Sequence, residues 1–262
     1  MKNVLNVARS PFWLLPLFLL AGCALLSKGP DLTRIEANRD ATFRLDILPK
    51  GHGSGIVVSR EGHILTAAHV ALAGIGQPGA GIEIVIDDGD GKPKVYPAEV
   101  IAVDPDHDVA LVKIDHRFDR PAGLADPDEV HPGDAVYNVG YPYDFGQMVG
   151  RGYVQKTHFN YADPDGGADI KDATLVDMPD GPGTSGSGIF LARNGKLMGI
   201  MSMAFWVSAG SQPPTITRVL VSVKYARALL EANGVKYSTN ASPPGGAMTT
   251  DLIVRPAASV KR

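Results

Sequence analysis

From about Ala41 to Val223 the chain is a succession of short runs rich in Val, Ile and Leu, separated by Gly, Pro and Asp turns. This rhythm restricts the fold more than any other feature. The runs Gly55–Val58, His63–Thr66, Ile82–Ile86, Val109–Ile114, Ala135–Val139, Leu197–Ser202 and Val219–Val223 are too short for helices, and their spacing predicts an all-β sandwich or barrel. Arg193-Asn194-Gly195-Lys196 puts Asn-Gly, which tolerates positive φ, between two apolar runs and predicts a hairpin over Ile189–Met203. One helix is expected, over Lys224–Asn233, rich in Ala and Leu and closed by Gly234. At 262 residues, 44% of them hydrophobic, the chain can bury a core without metals or disulfides. A net charge of −3 offers no basic field for a phosphate backbone, so no nucleic-acid partner is expected. The single cysteine, Cys23, excludes an internal disulfide or a cysteine-ligated zinc.

Residues 1–22 have a signal-peptide layout: Lys2 and Arg9, an apolar run from Pro11 to Leu20, then Leu20-Ala21-Gly22-Cys23. Those last four residues resemble the lipobox of bacterial lipoproteins, in which a peptidase cuts before the cysteine and the thiol takes a diacylglycerol. The resemblance implies lipidation of Cys23, a tether over residues 23–40 and a lipid bilayer as partner. Ala24, where Asp would favour retention in the inner membrane, implies the outer membrane facing the periplasm of a Gram-negative cell. An uncleaved transmembrane helix is the alternative, because residues 10–27 carry no charge, although Pro11 and Pro16 count against it. Residues 237–262 mix Ser, Thr, Pro and Gly without sustained periodicity and are expected to be a disordered tail.

Three segments carry chemistry. Gly53-Ser54-Gly55-Ile56-Val57-Val58 leads through a turn to His63-Ile64-Leu65-Thr66-Ala67-Ala68-His69, a strand ending in small residues and a histidine. Asp104-Pro105-Asp106-His107-Asp108 is an acidic turn that enters the apolar run Val109–Ile114. Gly181-Pro182-Gly183-Thr184-Ser185-Gly186-Ser187-Gly188 sets serine in a glycine-rich turn before the hairpin. A serine hydroxyl is a poor nucleophile alone. It needs an imidazole to take its proton and a carboxylate to fix the imidazole tautomer. The glycines let the backbone aim N–H groups at a developing oxyanion.

With these residues in view, the chain resembles the chymotrypsin-like (trypsin-like) serine endopeptidases. Thr66-Ala67-Ala68-His69 is similar to the motif around their catalytic histidine, Asp108-Val109-Ala110-Leu111 to that around the aspartate, and Gly183-Thr184-Ser185-Gly186-Ser187 to the nucleophile turn. The order His, Asp, Ser separates this family from subtilisins and α/β-hydrolases. Gly133-Asp134 through Val139-Gly140-Tyr141-Pro142, then Gly146-Gln147 and a long strand, is similar to the heat-shock Deg/HtrA branch. The resemblance implies two packed six-stranded β-barrels, about 41–120 and 125–236, with a C-terminal helix. It implies His69 as base, Asp108 as its orienting carboxylate, Ser185 as nucleophile, and an oxyanion hole at Gly183 to Ser185 with Thr184 between the two donors. Ser202, Met203 and Ala204 resemble the substrate-binding strand. Carrying no charge, they imply a small or medium apolar side chain before the scissile bond of a protein or peptide substrate.

Two departures from the family limit what carries over. The residues after Asn233 are too few for the PDZ domain usual in Deg/HtrA proteases, so none is expected. Thr184 stands where the digestive enzymes have an Asp that pairs with a freed N-terminus, so activation by that route is not expected. Alternatives stay open at each role: Asp104 or Asp106 as the carboxylate, Ser187 as the nucleophile, and His52, His63, His107, His116, His131 and His158 beside His69. The fragments Asp87–Gly91 and Asp163–Gly166 lack the Glu that completes a calcium loop and read as hairpin turns, and neither metal nor cofactor is expected. A silent lipoprotein using the fold as a binding module, and an esterase with the same triad, are the competing functions.

Overall fold

A computed structural model describes residues 31–49, 51–75, 79–86, 93–162, 170–207 and 215–241. The signal peptide, Cys23, both acidic turn fragments and residues 242–262 lie outside the described residues.

Among the described residues, twelve strands form two closed barrels. The first comprises β1 (Thr42–Leu48), β2 (His52–Val57), β3 (His63–Thr66), β4 (Gly81–Ile86), β5 (Lys94–Asp104) and β6 (Val109–Lys113), in the order β1-β2-β3-β6-β5-β4. The second comprises β7 (Ala135–Gly140), β8 (Met148–Tyr161), β9 (Ile170–Asp177), β10 (Gly188–Leu191), β11 (Leu197–Val207) and β12 (Thr215–Ser222), in the order β7-β8-β9-β12-β11-β10. The two orders are the same, and strand pairing within both barrels is antiparallel. Closure removes the exposed edges that an open sheet would present.

The apolar runs are explained by where their two faces point. On β6, Ala110 and Val112 enter the interior of the first barrel while Val109 and Leu111 enter the seam between the barrels. On β2, Val57 lies inside and Ile56 in the seam. A strand buried on both faces has no polar side to alternate with, hence the unbroken Val-Ala-Leu-Val. The seam also takes Tyr137, Val139, Phe190 and Ile200 from the second barrel, and each such large apolar side chain contributes about 1.5–3 kcal/mol when fully buried. The connection from β6 to β7 runs along this seam, Ala122 N–H donating to Val57 O and Ala125 N–H to Leu197 O, both at 2.8 Å.

Helix α3 (Val223–Ala232) forms where expected, with Ser222 accepting from Lys224 N–H at its start and Gly234 at φ 67 after its end. Two expectations need correction. Part of the supposed tether is helix α1 (Leu32–Asp40), capped by Asp31 and docked on the second barrel. Its buried Asn38 donates through Nδ2 to Tyr137 Oη and to Gly195 O, both at 2.8 Å, and Arg34 Nη1 donates to Arg193 O at 2.9 Å. A helix held by a buried amide carries no apolar stripe to betray it. The supposed tail is also docked over its first residues: Ser238 O accepts from Leu124 N–H at 2.8 Å, and Tyr237 Oη donates to Glu231 at 2.6 Å.

Candidate active site

The site lies at the seam. Strand β3 ends at Thr66, whose hydroxyl donates to Ser54 O at 2.8 Å, and the chain turns into the short helix α2 (Ala68–Ala73) with His69 as its second residue. Asp108 directly precedes β6 at φ 54, a left-handed conformation that aspartate tolerates better than most side chains. It accepts twice from His69: from the backbone N–H at 2.9 Å, and from Nδ1, which lies 3.0 and 2.9 Å from its two oxygens. An ionised carboxylate only accepts, so Nδ1 carries the hydrogen and a neutral ring keeps Nε2 as an acceptor. The His69 side chain is 52% exposed and that of Asp108 19%, so the pair is anchored at its carboxylate and open at its imidazole.

Strand β11 completes the carboxylate's surroundings. Between β11 and β12 the register shifts from Met201–Leu220 to Met203–Val219, leaving Ser202 as the extra residue of a bulge. The bulge turns its hydroxyl onto Asp108 Oδ2, to which it donates at 2.5 Å. Burial pushes the Asp108 carboxyl up, but hydrogen bonds from His69 and Ser202 and the charge of the imidazole outweigh it and hold the group below its ordinary value.

The glycine turn that bears Ser185 comes from the second barrel. Gly183 at φ 98 and Gly186 at φ 85 adopt conformations closed to ordinary side chains, and a Cβ on Gly183 would lie 2.2 Å from His52 Nε2. Thr184 N–H is taken by Gly181 O at 3.1 Å, so Thr184 shapes the turn and offers no donor. Among the described residues, neither Gly183 N–H nor Ser185 N–H has a protein acceptor. Pro182 O accepts from Tyr143 N–H at 2.6 Å, and since the peptide is planar and trans this points Gly183 N–H the other way. Ser185 Oγ donates to Ser202 O at 3.4 Å, and no His69–Ser185 hydrogen bond is formed.

Residues 53–200 match the trypsin-like peptidase domain family. The chain belongs to that family. Its similarity extends to Protease Do-like 1, chloroplastic, of Arabidopsis thaliana, 28% identical over 69% of this chain and 39% of that protein. It is also 29% identical, over 60% of this chain and 30% of the other, to a probable periplasmic serine endoprotease DegP-like of Pseudomonas putida (strain W619). The chain thus spans well under half the length of these curated relatives. Among solved structures, the HtrA-type protease AlgW with tripeptide superposes with a TM-score of 0.62 at 25% identity, over 77% of this chain and 62% of that one. Deg5, at 20% identity over 78% of this chain and 95% of its own, has a TM-score of 0.61 and shares the fold.

Within this trypsin-like peptidase domain most of the alternative residues are engaged elsewhere or buried. Asp104 holds His107 Nδ1 at 2.8 Å, and that ring stacks on Tyr225 with centroids 3.5 Å apart. Ser187 Oγ is buried without a hydrogen-bond partner among the described residues, out of reach of a substrate. His63 faces Ser59, His116 faces Tyr96, and His158 faces Asp172. The structure therefore brings His69 and Asp108 into contact and sets Ser185 beside Ser202, with Met203 and Ala204 exposed beyond it.

Sequence reading missed three features here. The side chain of Ser202, a residue expected on the substrate-binding strand, serves the carboxylate. Ser54, on β2, contacts the nucleophile turn. Opposite the uncharged Ala204 stands Arg218, whose Nε lies 3.2 Å from Asp180 Oδ2 at the foot of that turn. Burial pushes the Asp180 carboxyl above its ordinary value despite the pull of Gly181 N–H and Arg218. No group of three or more potential metal ligands gathers among the described residues.

Proposed function

We propose that this chain is a serine endopeptidase that hydrolyses peptide bonds of envelope proteins through an acyl-enzyme. The supporting observation is the Asp108–His69 pair, joined through Ser202 to Ser185, whose turn carries two N–H donors without a protein acceptor among the described residues. In this mechanism Ser185 Oγ attacks the carbonyl carbon, and His69 Nε2 takes the hydroxyl proton and returns it to the leaving amine. Asp108 keeps the hydrogen on Nδ1 and stabilises the imidazolium. The N–H groups of Gly183 and Ser185 receive the oxyanion, each such donor typically lowering the barrier by about 2.7–4 kcal/mol. Water then attacks the acyl-enzyme by the same route in reverse. The residue before the scissile bond lies along Ser202–Ala204 and has a small or medium apolar side chain.

The periplasmic DegP-like relatives and the signal-peptide layout support an envelope location. Lipidation of Cys23 would tether the domain to the bilayer, and Ala24 favours the outer membrane. A second reading, a silent binding module, is favoured by one observation: Ser185 Oγ bonds to Ser202 O and not to His69. Catalytic contacts of this kind often tighten only when substrate binds.

The two readings separate on labelling by a fluorophosphonate and digestion of an unfolded protein, compared between the parent chain and Ser185→Ala. The peptidase reading expects labelling and cleavage in the parent alone, with activity lost by about four orders of magnitude or more in the variant. A folded parent that neither labels nor cleaves would favour the binding module, and activity on esters but not peptides would make it an esterase.

A further inference from the structure

Ser54 is fully buried on β2 of the first barrel, yet its N–H and its hydroxyl face the second. Its backbone N–H donates to Ser185 O at 2.8 Å, and its hydroxyl donates to Gly183 O at 2.8 Å. The residues whose carbonyls it holds are the two whose N–H groups have no protein acceptor. The hydroxyl also accepts from Tyr141 N–H at 3.0 Å, so its proton points away from that N–H and toward Gly183 O. His52, two residues earlier and on the same face of β2, lies 3.0 Å through Nε2 from Tyr141 O, against the same corner of the second barrel.

Gly183 needs such a restraint. At φ 98 it occupies a region that only glycine enters freely, and glycine is also the residue most free to leave it. The peptide before it is pinned at Pro182 O by Tyr143, and the peptide after it at Gly183 O by Ser54. With both pinned, the Gly183 N–H cannot rotate away. We propose that Ser54 is a positioning residue that holds the oxyanion turn in its receptive shape from the opposite barrel, so that turnover depends on the docking of the two barrels. This rests on the peptidase reading. Ser54 touches no reacting atom. Its effect appears where negative charge develops on the substrate, and so in kcat more than in KM.

The test compares the full chain in detergent with Ser54→Ala, Ser54→Cys and Val58→Ala, measuring kcat, KM and the rate of fluorophosphonate labelling. Val58→Ala opens a cavity in the same seam without touching a polar group. Ser54→Ala is expected to lower kcat about tenfold or more, slow labelling in parallel and leave KM within about twofold, while Val58→Ala keeps the parent kcat. Ser54→Cys keeps the shape with a weaker donor, and is expected to fold and to fall between. Parent-like kcat in either Ser54 variant, or an equal loss in Val58→Ala, would overturn the proposal. Should Ser54→Ala fail to fold, Ser54→Cys alone decides it by the same criterion. A parent chain that does not label, or whose activity survives Ser185→Ala, refutes the peptidase reading and this inference with it, before any Ser54 variant is compared.

Discussion

The two barrels share one strand order and differ in regularity. Among the described residues, the first has a single register shift, between Val100 and Ala102, while the second has three along β8–β9 and one each along β10–β11 and β11–β12. The regular barrel supplies the proposed base and its carboxylate from strand ends, His69 just after β3 and Asp108 just before β6. The irregular barrel supplies the proposed nucleophile from a glycine turn and Ser202 from a bulge inside a strand. A pair that must keep one orientation is served by an even ladder. Groups that must reach across toward reacting atoms are placed where the ladder breaks.

Breaking the irregular half should have the largest effect. Gly183→Ala must relieve contacts of 2.2 Å with His52 Nε2 and 2.4 Å with Tyr141 O in a left-handed backbone, so the turn shifts. The expected loss is about 100- to 1000-fold in kcat/KM, read by steady-state kinetics, and an unimpaired variant would place the donor elsewhere. The regular half should respond in stability instead. Ile84→Ala, inside the first barrel, is expected to cost about 2–5 kcal/mol in urea unfolding while activity per folded molecule stays unchanged. A fall in specific activity would mean that the ladder does more than support.

The smallest effect sharpens the contrast where the halves meet. Ser202→Ala removes a charge-assisted hydrogen bond and should cost about 1.5–3 kcal/mol at neutral pH. The folded Asp108 carboxyl lies below its ordinary 3.8, so its stabilising contribution is complete above that value and is lost as pH falls through the lower, folded one. Without Ser202 the depression shrinks, and unfolding followed from neutral pH into that acid range should show a shallower loss than in the parent. An unchanged acid profile would assign the depression to His69 alone.

The strands legible in the sequence are those buried on at least one face with a clear pattern, such as β4, where Ile82, Ile84 and Ile86 alternate inward. Strand β5 escaped notice because Lys94, Tyr96, Pro97 and Glu99 lie along a half-exposed ladder and mask its period. Helix α1 escaped because a buried asparagine holds it in place of an apolar stripe. In the site, His69, Asp108 and Ser185 each sit in a local motif that a short window can read. Ser202 meets Asp108 across 94 residues and Ser54 meets Gly183 across 129, contacts with no trace in any window.

Among the described residues, the first and the last helix each reach the half to which they are not joined. Helix α1 precedes the first strand of one barrel and grips the other, while α3 follows the last strand of the second and packs into the seam beside Val109 and Leu111, its Tyr225 stacked on His107. A chain cut in the connection between β6 and β7 would therefore yield two fragments, each carrying the piece that the other lacks. One would hold His69 and Asp108, the other Ser185, and on the peptidase reading only their reassociation would restore activity: a split protein whose complementation reports on whether its halves have met.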